Sequence, residues 1–466
     1  MEEFWTLFDK HIVWAGPVLL AGAGWLIARK FNHQPLPPPS HGETTEIVVD
    51  ALKEKYGRQI DDQQQTIDTL RKAVDALTAE KSDPDATDTP ETIDLALEHL
   101  KQGDTTQAEA IFQTILEAKK AEGTKAHQEA AQAAKHIGAL AFLHDTPKAL
   151  AAYKQATELD PDDAEAWNEL GQLKHRLGDL SGAERAFEKV LALGNTSADK
   201  PTIAAATGNL GIIAKTRGDL DQAEDFFTKA LTIEEELDCK EGVANQYNNL
   251  GNIALTQGDL DKAEDFHTKA LMINEELGCK EGMANQYGNL GVIAKIRGVL
   301  DKAEDFHTKA LAINGELDSK EGMAANYGNL GIIAQDRRQL DKAKDFHAKA
   351  LTISEELDYK ECMVANYGNL GLITLTQGKL YKAKDFITKS LTISEELGYK
   401  EGMATSYVNL GYIAKQRGDM NEACRLWHQA LELFAAIGMP HMVEKLQGWL
   451  DDVGCDNEAR ATEDGA

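Results

Sequence analysis

Hydrophobic and polar residues follow three rhythms along this chain. From Ile12 to Ala28, seventeen residues pass without a charge, close to the shortest helix that spans a hydrocarbon core of about 30 Å. From 46 to 81, heptad core positions read Glu46, Val49, Lys53, Tyr56, Ile60, Gln63, Ile67, Leu70, Val74 and Leu77, mostly apolar and consecutively so at the end. Beyond about 91, small, large and polar positions recur, and from 201 they keep a period of 40 residues, marked by the Leu-Gly pairs at Leu210, Leu250, Leu290, Leu330, Leu370 and Leu410. A helical period inside each unit and a fixed period between units predict a stacked array of helix pairs.

The first rhythm predicts a transmembrane anchor within 1–33, with Trp14 and Trp25 at its interfaces. A cleaved signal peptide, with Ala21-Gly22-Ala23 as its site, and a buried soluble helix are the alternatives; Glu2, Glu3 and Asp9 argue against a basic leader. Arg29 and Lys30 follow the apolar run, so the positive-inside rule predicts a single-pass protein with its repeats in the cytoplasm. Residues 34–45, with Pro35, Pro37, Pro38 and Pro39, read as a stiff linker. The heptads of 46–81 predict a short coiled coil and hence a homo-oligomer, or else a single amphipathic helix packed on its neighbour. A breaker-rich linker occupies 82–90.

The third rhythm divides into divergent units over 91–160, one unit over 161–200 and six 40-residue units over 201–440. In each, a first helix carries Asn-Leu-Gly and ends near a glycine such as Gly218, Gly258, Gly298, Gly378 or Gly418; Arg338 takes that place once. The second helix runs from about Leu220 to Leu237 in the first 40-residue unit. Its small residues (Ala223, Ala230 and their equivalents) predict close approach, with Phe226, Phe266, Phe306, Phe346 and Phe386 filling the gap between them. Residues 441–454 read as a capping helix presenting Leu446, Trp449 and Leu450, and 455–466 as an acidic disordered tail.

Composition narrows the chemistry. Lysine and arginine total 49 against 77 aspartates and glutamates, a net charge of −28. Such a chain repels phosphate backbones, so nucleic acid is not an expected partner unless a basic patch is hidden locally. The five cysteines are scattered without zinc spacing or a disulfide framework, which fits a reducing compartment. His267, His307 and His347 recur one repeat apart, too far to share a metal, and are expected to pack or to line a polar face. No phosphate-binding loop, H-E-x-x-H or nucleophile elbow is present, so neither an enzyme nor a cofactor is expected.

The stretch 164–193, with Trp167, Leu170, Gly171, Gly178, Ala183, Phe187 and Leu191, resembles the tetratricopeptide repeat. The 40-residue units look like its longer variant in kinesin light chains, Pins/LGN-type adaptors and bacterial peptide-sensing regulators. The resemblance implies an all-α, right-handed superhelical solenoid whose first helices line a concave groove.

On a helical wheel, Tyr247, Leu250, Gly251 and Ala254 fall on the core face, and Asn245, Asn248, Asn249, Asn252, Leu255 and Thr256 on the opposite one. Along the array this face becomes an asparagine ladder: Asn209, Asn249, Asn289, Asn329, Asn369 and Asn409, with Asn245, Asn285 and Asn252 nearby. An aliphatic track (Ile212, Val292, Ile332, Leu372) runs behind it, and Lys215, Lys295 and Lys415 stand at its edge. Gly208, Gly288, Gly328 and Gly368 lie beside the asparagines. An amide donates and accepts, so it pairs with a peptide backbone regardless of side chain; alternatively the asparagines are repeat consensus that bridges neighbouring helices. The expected function is a membrane-anchored scaffold holding partner proteins or peptides in the groove. The alternatives are a peptide-sensing regulator and an envelope assembly factor with periplasmic repeats.

Overall fold

The structure, a computed structural model, describes residues 105–119, 124–142 and 145–455, together with 95, 96 and 99. The expected anchor at 12–28, the linkers at 34–45 and 82–90, the coiled coil at 46–81, much of the first divergent unit and the tail after 455 lie outside the described residues. Among the described residues no helix is long and apolar enough to cross a membrane, and no strand occurs.

Two compact units meet at Gln257–Gly258. The first holds α1 (Thr105–Lys119), α2 (Thr124–Ala141), α3 (Thr146–Leu159), α4 (Ala164–Arg176), α5 (Leu180–Ser197), α6 (Lys200–Arg217), α7 (Leu220–Glu236) and α8 (Lys240–Gln257). The second holds α9 (Leu260–Leu277), α10 (Lys280–Ile296), α11 (Leu300–Glu316), α12 (Lys320–Asp336), α13 (Leu340–Glu356), α14 (Lys360–Thr376), α15 (Leu380–Glu396), α16 (Lys400–Gln416), α17 (Met420–Ala436) and α18 (Pro440–Val453). Within each unit every helix packs on its sequence neighbour, as in a helical-repeat solenoid.

The turns follow from local chemistry. Gly218, Gly298, Gly378 and Gly418 take positive φ where a first helix gives way to a second, and Arg338 makes the same turn at φ 60°. A side chain there is uncommon but tolerated at single positions. Asp179, Asp259 and Asp419 cap α5, α9 and α17 by accepting a backbone N–H of the first turn.

Packing inside a repeat turns on the glycine of each Leu-Gly pair. A Cβ there would stand 2.5–2.7 Å from the side chain sixteen residues on: Phe187 for Gly171, Phe227 for Gly211, His307 for Gly291, His347 for Gly331, Ile387 for Gly371 and Trp427 for Gly411. These side chains fill the gap between the small residues. The residue one place earlier, expected to do so, does not: Phe226, Phe306, Phe346 and Phe386 are half-buried. Three of them pair with tyrosines instead, Tyr287 with Phe306 and likewise Tyr327 with Phe346 and Tyr367 with Phe386, at ring-centroid distances of 6.1–6.2 Å. One residue is about 100° on a helix, enough to turn a ring from the interior to the boundary.

The repeated histidines are core residues. His267, His307 and His347 are buried, and Nδ1 of each meets the amide oxygen of Gln286, Asn326 or Asn366 on the next first helix at 2.8, 3.1 and 2.9 Å. Burial pushes His307 and His347 down to about 4, against a smaller upward pull from the asparagines.

Two further features anchor the ends. In the first unit, Lys135 on α2 is buried between Asp163 and Glu165, 2.8 Å from each. Burial lowers its pKa, but the two carboxylates outweigh that and leave it raised. In the second unit, α18 seats Leu446 and Leu450 against α17, with the Trp449 ring tilted against Trp427, centroids 5.7 Å apart. Cys424 on α17 and Cys455 just beyond α18 form a disulfide, with Cα atoms 5.7 Å apart. The sequence showed no disulfide framework, yet the return of α18 along α17 joins two residues 31 positions apart. Cys239, Cys279 and Cys362 are free.

Candidate asparagine surface of the first helices

In the second unit the first helices α10, α12, α14 and α16 touch one another in succession, besides packing on their second helices. They form a row, and the ladder asparagines fall along it. Asn289, Asn329 and Asn369 are half-buried on this row. Asn409 is buried, with 5 % of its surface exposed, so the reading of a uniformly open ladder does not hold at its last member. Asn285 is half-buried, as are Ile332 and Leu372 of the aliphatic track, whereas Val292 is buried. Asn329 and Asn369 make no hydrogen bond to another described residue.

The first unit treats its asparagines differently. Asn209 donates from Nδ2 to Oδ1 of Asn168, one repeat back, at 2.9 Å. Asn249, expected on the outer face, is 3 % exposed and interior. Asn245 and Asn252 are half-buried, as is Ile212. The wheel fails at Asn249 because a first helix in a stack is flanked by two second helices and other first helices, so its buried arc exceeds one face. Tyr247, placed in the core by the wheel, is half-buried and its hydroxyl donates to Glu235 at 3.3 Å.

Glycines separate packing from surface. Those of the Leu-Gly pairs have no room for a side chain, as described above. Gly288 has nothing within 4 Å of a Cβ, Gly328 only Asn366 Oδ1 at 3.7 Å, and Gly368 only Ser390 Oγ at 3.8 Å. Nothing internal demands glycine at these three places, although glycine within a helix costs about 1 kcal/mol relative to alanine. They leave the backbone of the row open beside Asn289, Asn329 and Asn369.

The lysines do not form one charged edge. Lys295 is buried, 4.0 Å from Asp336, and its pKa is lowered by burial with partial relief from that carboxylate. Lys215 is half-buried, and loss of water around its ammonium pushes it down to about 8. Lys415 is exposed, 5.8 Å over the Trp427 ring. A rim lysine on a first helix bends back toward packed neighbours when a carboxylate or ring lies within its reach, which spacing alone does not reveal.

Sequence reasoning missed the buried amides. Gln286, Asn326 and Asn366 precede the ladder asparagines by three residues and face inward to the histidines. The signal was present: in each case the amide follows its histidine by nineteen residues. Gln246 holds the same place, but the residue nineteen before it is Phe227 rather than histidine, and neither of its buried amide atoms has a hydrogen-bond partner among the described residues. Among the described residues, no group of three or more His, Cys, Asp and Glu is arranged to hold a metal ion.

Comparison with known proteins agrees with this geometry. Models described as tetratricopeptide repeat match residues 162–236, 242–316, 322–396 and 403–436, and one described as TPR repeat matches 145–178. No curated protein matches by sequence. Among solved structures, the chain is similar to a signal transduction ATPase with a tetratricopeptide repeat sensor from Pyrococcus horikoshii, at 14 % identity and TM-score 0.51 over 98 % of this chain and 71 % of that one. It is also similar to BtubC from P. vanneervenii (23 % identity, TM-score 0.43, 47 % of this chain and 92 % of that one). A tetratricopeptide repeat protein from Parabacteroides merdae matches at 19 % identity and TM-score 0.44, over 61 % of this chain and 98 % of that one. These likenesses concern the fold, while the repeat models together span more than half of the sequence: the chain belongs to the tetratricopeptide repeat family.

Proposed function

We propose that this chain is a membrane-tethered scaffold that binds an extended peptide of a partner protein along α10, α12 and α14. The repeat architecture is suited to protein interaction. The observation that carries the finer reading is the pairing of half-buried asparagines with open glycines. Asn289, Asn329 and Asn369 each sit next to a glycine that packing does not require. An amide there donates to and accepts from a peptide backbone, and the missing Cβ lets that backbone approach. The apolar run 12–28 would hold the scaffold on the membrane, the heptads of 46–81 would gather several copies and raise avidity, and the repeats would face the cytoplasm. The long repeats ally it with the kinesin light chain and Pins/LGN-type adaptors.

The test is a membrane pull-down with the wild type beside an Asn289→Ala, Asn329→Ala, Asn369→Ala variant, folding being checked by circular dichroism. Loss of bound proteins from a folded variant supports the reading; an unchanged set of proteins overturns it.

One observation favours a second reading, with the repeats on the outer side of the membrane as in an envelope assembly factor. The Cys424–Cys455 disulfide belongs more naturally to an oxidising compartment. A reporter fused after Ala466 and active on only one side of the membrane separates the two.

A further inference from the structure

The second helices α9, α11, α13 and α15 are near copies, and α15 departs furthest at its start: α11 and α13 lack the aspartate cap as well, and α13 already carries Lys344, but both keep the aspartate of the first turn, Asp301 and Asp341. Helix α9 opens on Asp259-Leu260-Asp261-Lys262-Ala263-Glu264, and α11 keeps Asp301 and Glu304. Helix α15 opens instead on Lys379-Leu380-Tyr381-Lys382-Ala383-Lys384. The packed positions, Leu380 and the buried Ala383, are unchanged, and every altered position is exposed. The change runs against helix preferences. Asp259 caps α9 by accepting from the Lys262 N–H, whereas Lys379 supplies no cap and the first turn of α15 has no acidic residue. Cations at a helix N-terminus oppose its dipole. Folding therefore does not explain these residues.

The departure also releases an arginine. Arg297 pairs with Asp261 and Glu264, and Arg337 with Asp301 and Glu304. The same places beside Arg417 hold Tyr381 and Lys384. Arg417 lies over the Tyr381 ring, 5.3 Å from its centroid, and has no carboxylate partner among the described residues. Tyr381 is 80 % exposed. Of the nearby acids, Asp385 pairs with Lys389, and Glu422 pairs with Arg425 while also feeling the charge of Lys384. Three exposed lysines at the start of α15 and Arg417 over the Tyr381 ring thus form a local basic patch, with Lys379 donating to Gln377 and Lys382 lying over Phe386, on a chain of net charge −28.

We propose that Lys379, Tyr381, Lys382, Lys384 and Arg417 form a docking surface for a short acidic segment of a partner protein, separate from the asparagine row. Charge complementarity sets the sign of the partner. The size of the patch sets its class. A nucleic acid or an anionic bilayer would run beyond it onto the exposed acids Asp341 and Asp419, whereas a short peptide stays within reach of the four cations. Tyr381 offers the segment an apolar face with few rotatable bonds.

The test uses the full chain in detergent, a fluorescein-labelled decaglutamate peptide, and the variant Lys379→Asp, Tyr381→Asp, Lys384→Glu. The variant installs residues that α9 already carries at equivalent places, so it folds with unchanged helicity. Wild type binds the peptide and loses affinity between about 50 mM and about 300 mM salt; the variant binds on the order of tenfold more weakly. Phosphatidylserine vesicles and a single-stranded oligonucleotide serve as rival probes. Equal peptide binding by variant and wild type overturns the proposal. So does a loss on mutation that is as large for vesicles or oligonucleotide as for the peptide.

Discussion

Nδ1 of His347 lies 2.9 Å from Oδ1 of Asn366, joining the second helix of one repeat to the first helix of the next through a bond that is wholly buried. Asn366 donates from Nδ2 to the Cys362 carbonyl, which leaves its oxygen as the acceptor facing Nδ1 of the histidine, while Nε2 of His347 lies 3.1 Å from the Gln335 amide oxygen. His307 and Asn326 repeat the arrangement.

This neutral pair makes the second unit sensitive to acid. Burial holds His307 and His347 near 4 in the folded state, against about 6.5 in an unfolded chain. Above pH 6.5 both states are neutral there. As pH falls from about 6.5 toward about 4, the unfolded chain takes up protons that the folded chain refuses, and stability drops by roughly 3 kcal/mol per histidine. Replacing one pair by the residues of a neighbouring repeat, His347→Ile with Asn366→Ser, should flatten that slope. Denaturant unfolding at several pH values checks this, and parallel slopes for variant and wild type would refute it.

Two glycines three residues apart should respond with opposite sign. A Cβ on Gly331 would stand 2.6 Å from Nε2 of His347, so Gly331→Ala overpacks the core and costs about 1–3 kcal/mol. A Cβ on Gly328 meets only Asn366 Oδ1 at 3.7 Å, so Gly328→Ala gains about 1 kcal/mol of helix preference. If the row binds a peptide backbone, that more stable variant also binds its partner more weakly. A loss of stability in both variants contradicts the assignment of the second glycine to an open surface.

The capping helix should depend on its disulfide. Closing the loop between Cys424 and Cys455 stabilises by about 2–4 kcal/mol through the unfolded state. Cys424→Ser, or reductant added to the wild type, should lower the Tm of the second unit, and reductant should have no effect on the variant. A wild type indifferent to reductant shows that the bond contributes nothing.

Much of the fold was legible because a repeat protein states its structure many times. Leu210-Gly211 and its successors announced the period, Gly218 and its equivalents marked the turns, and the boundary at Leu220 agrees with the start of α7. Legibility stopped at single-residue resolution. Phe226 and Phe227 are adjacent and chemically alike, and only packing selects Phe227 for the interior. For His267 the sequence left packing and a polar face both open, and the structure selects packing, with Gln286 on another helix meeting its Nδ1. The candidate surface was half legible: Asn329 and Asn369 stand where the period put them, but Asn249 and Asn409 are interior.

By itself the sequence determined the helix pairs, their period, the small-residue contacts and the position of each turn, because these depend on neighbours along the chain or on its own repetition. Tertiary structure decided which face of a first helix is covered, which glycines are obligatory, that Lys295 turns inward to Asp336, that Cys424 meets Cys455, and that Arg417 stands without a carboxylate beside Tyr381. Each of these depends on atoms brought together from separate helices. A helix sets direction from local bonds, but burial and charge pairing are properties of what stacks against it.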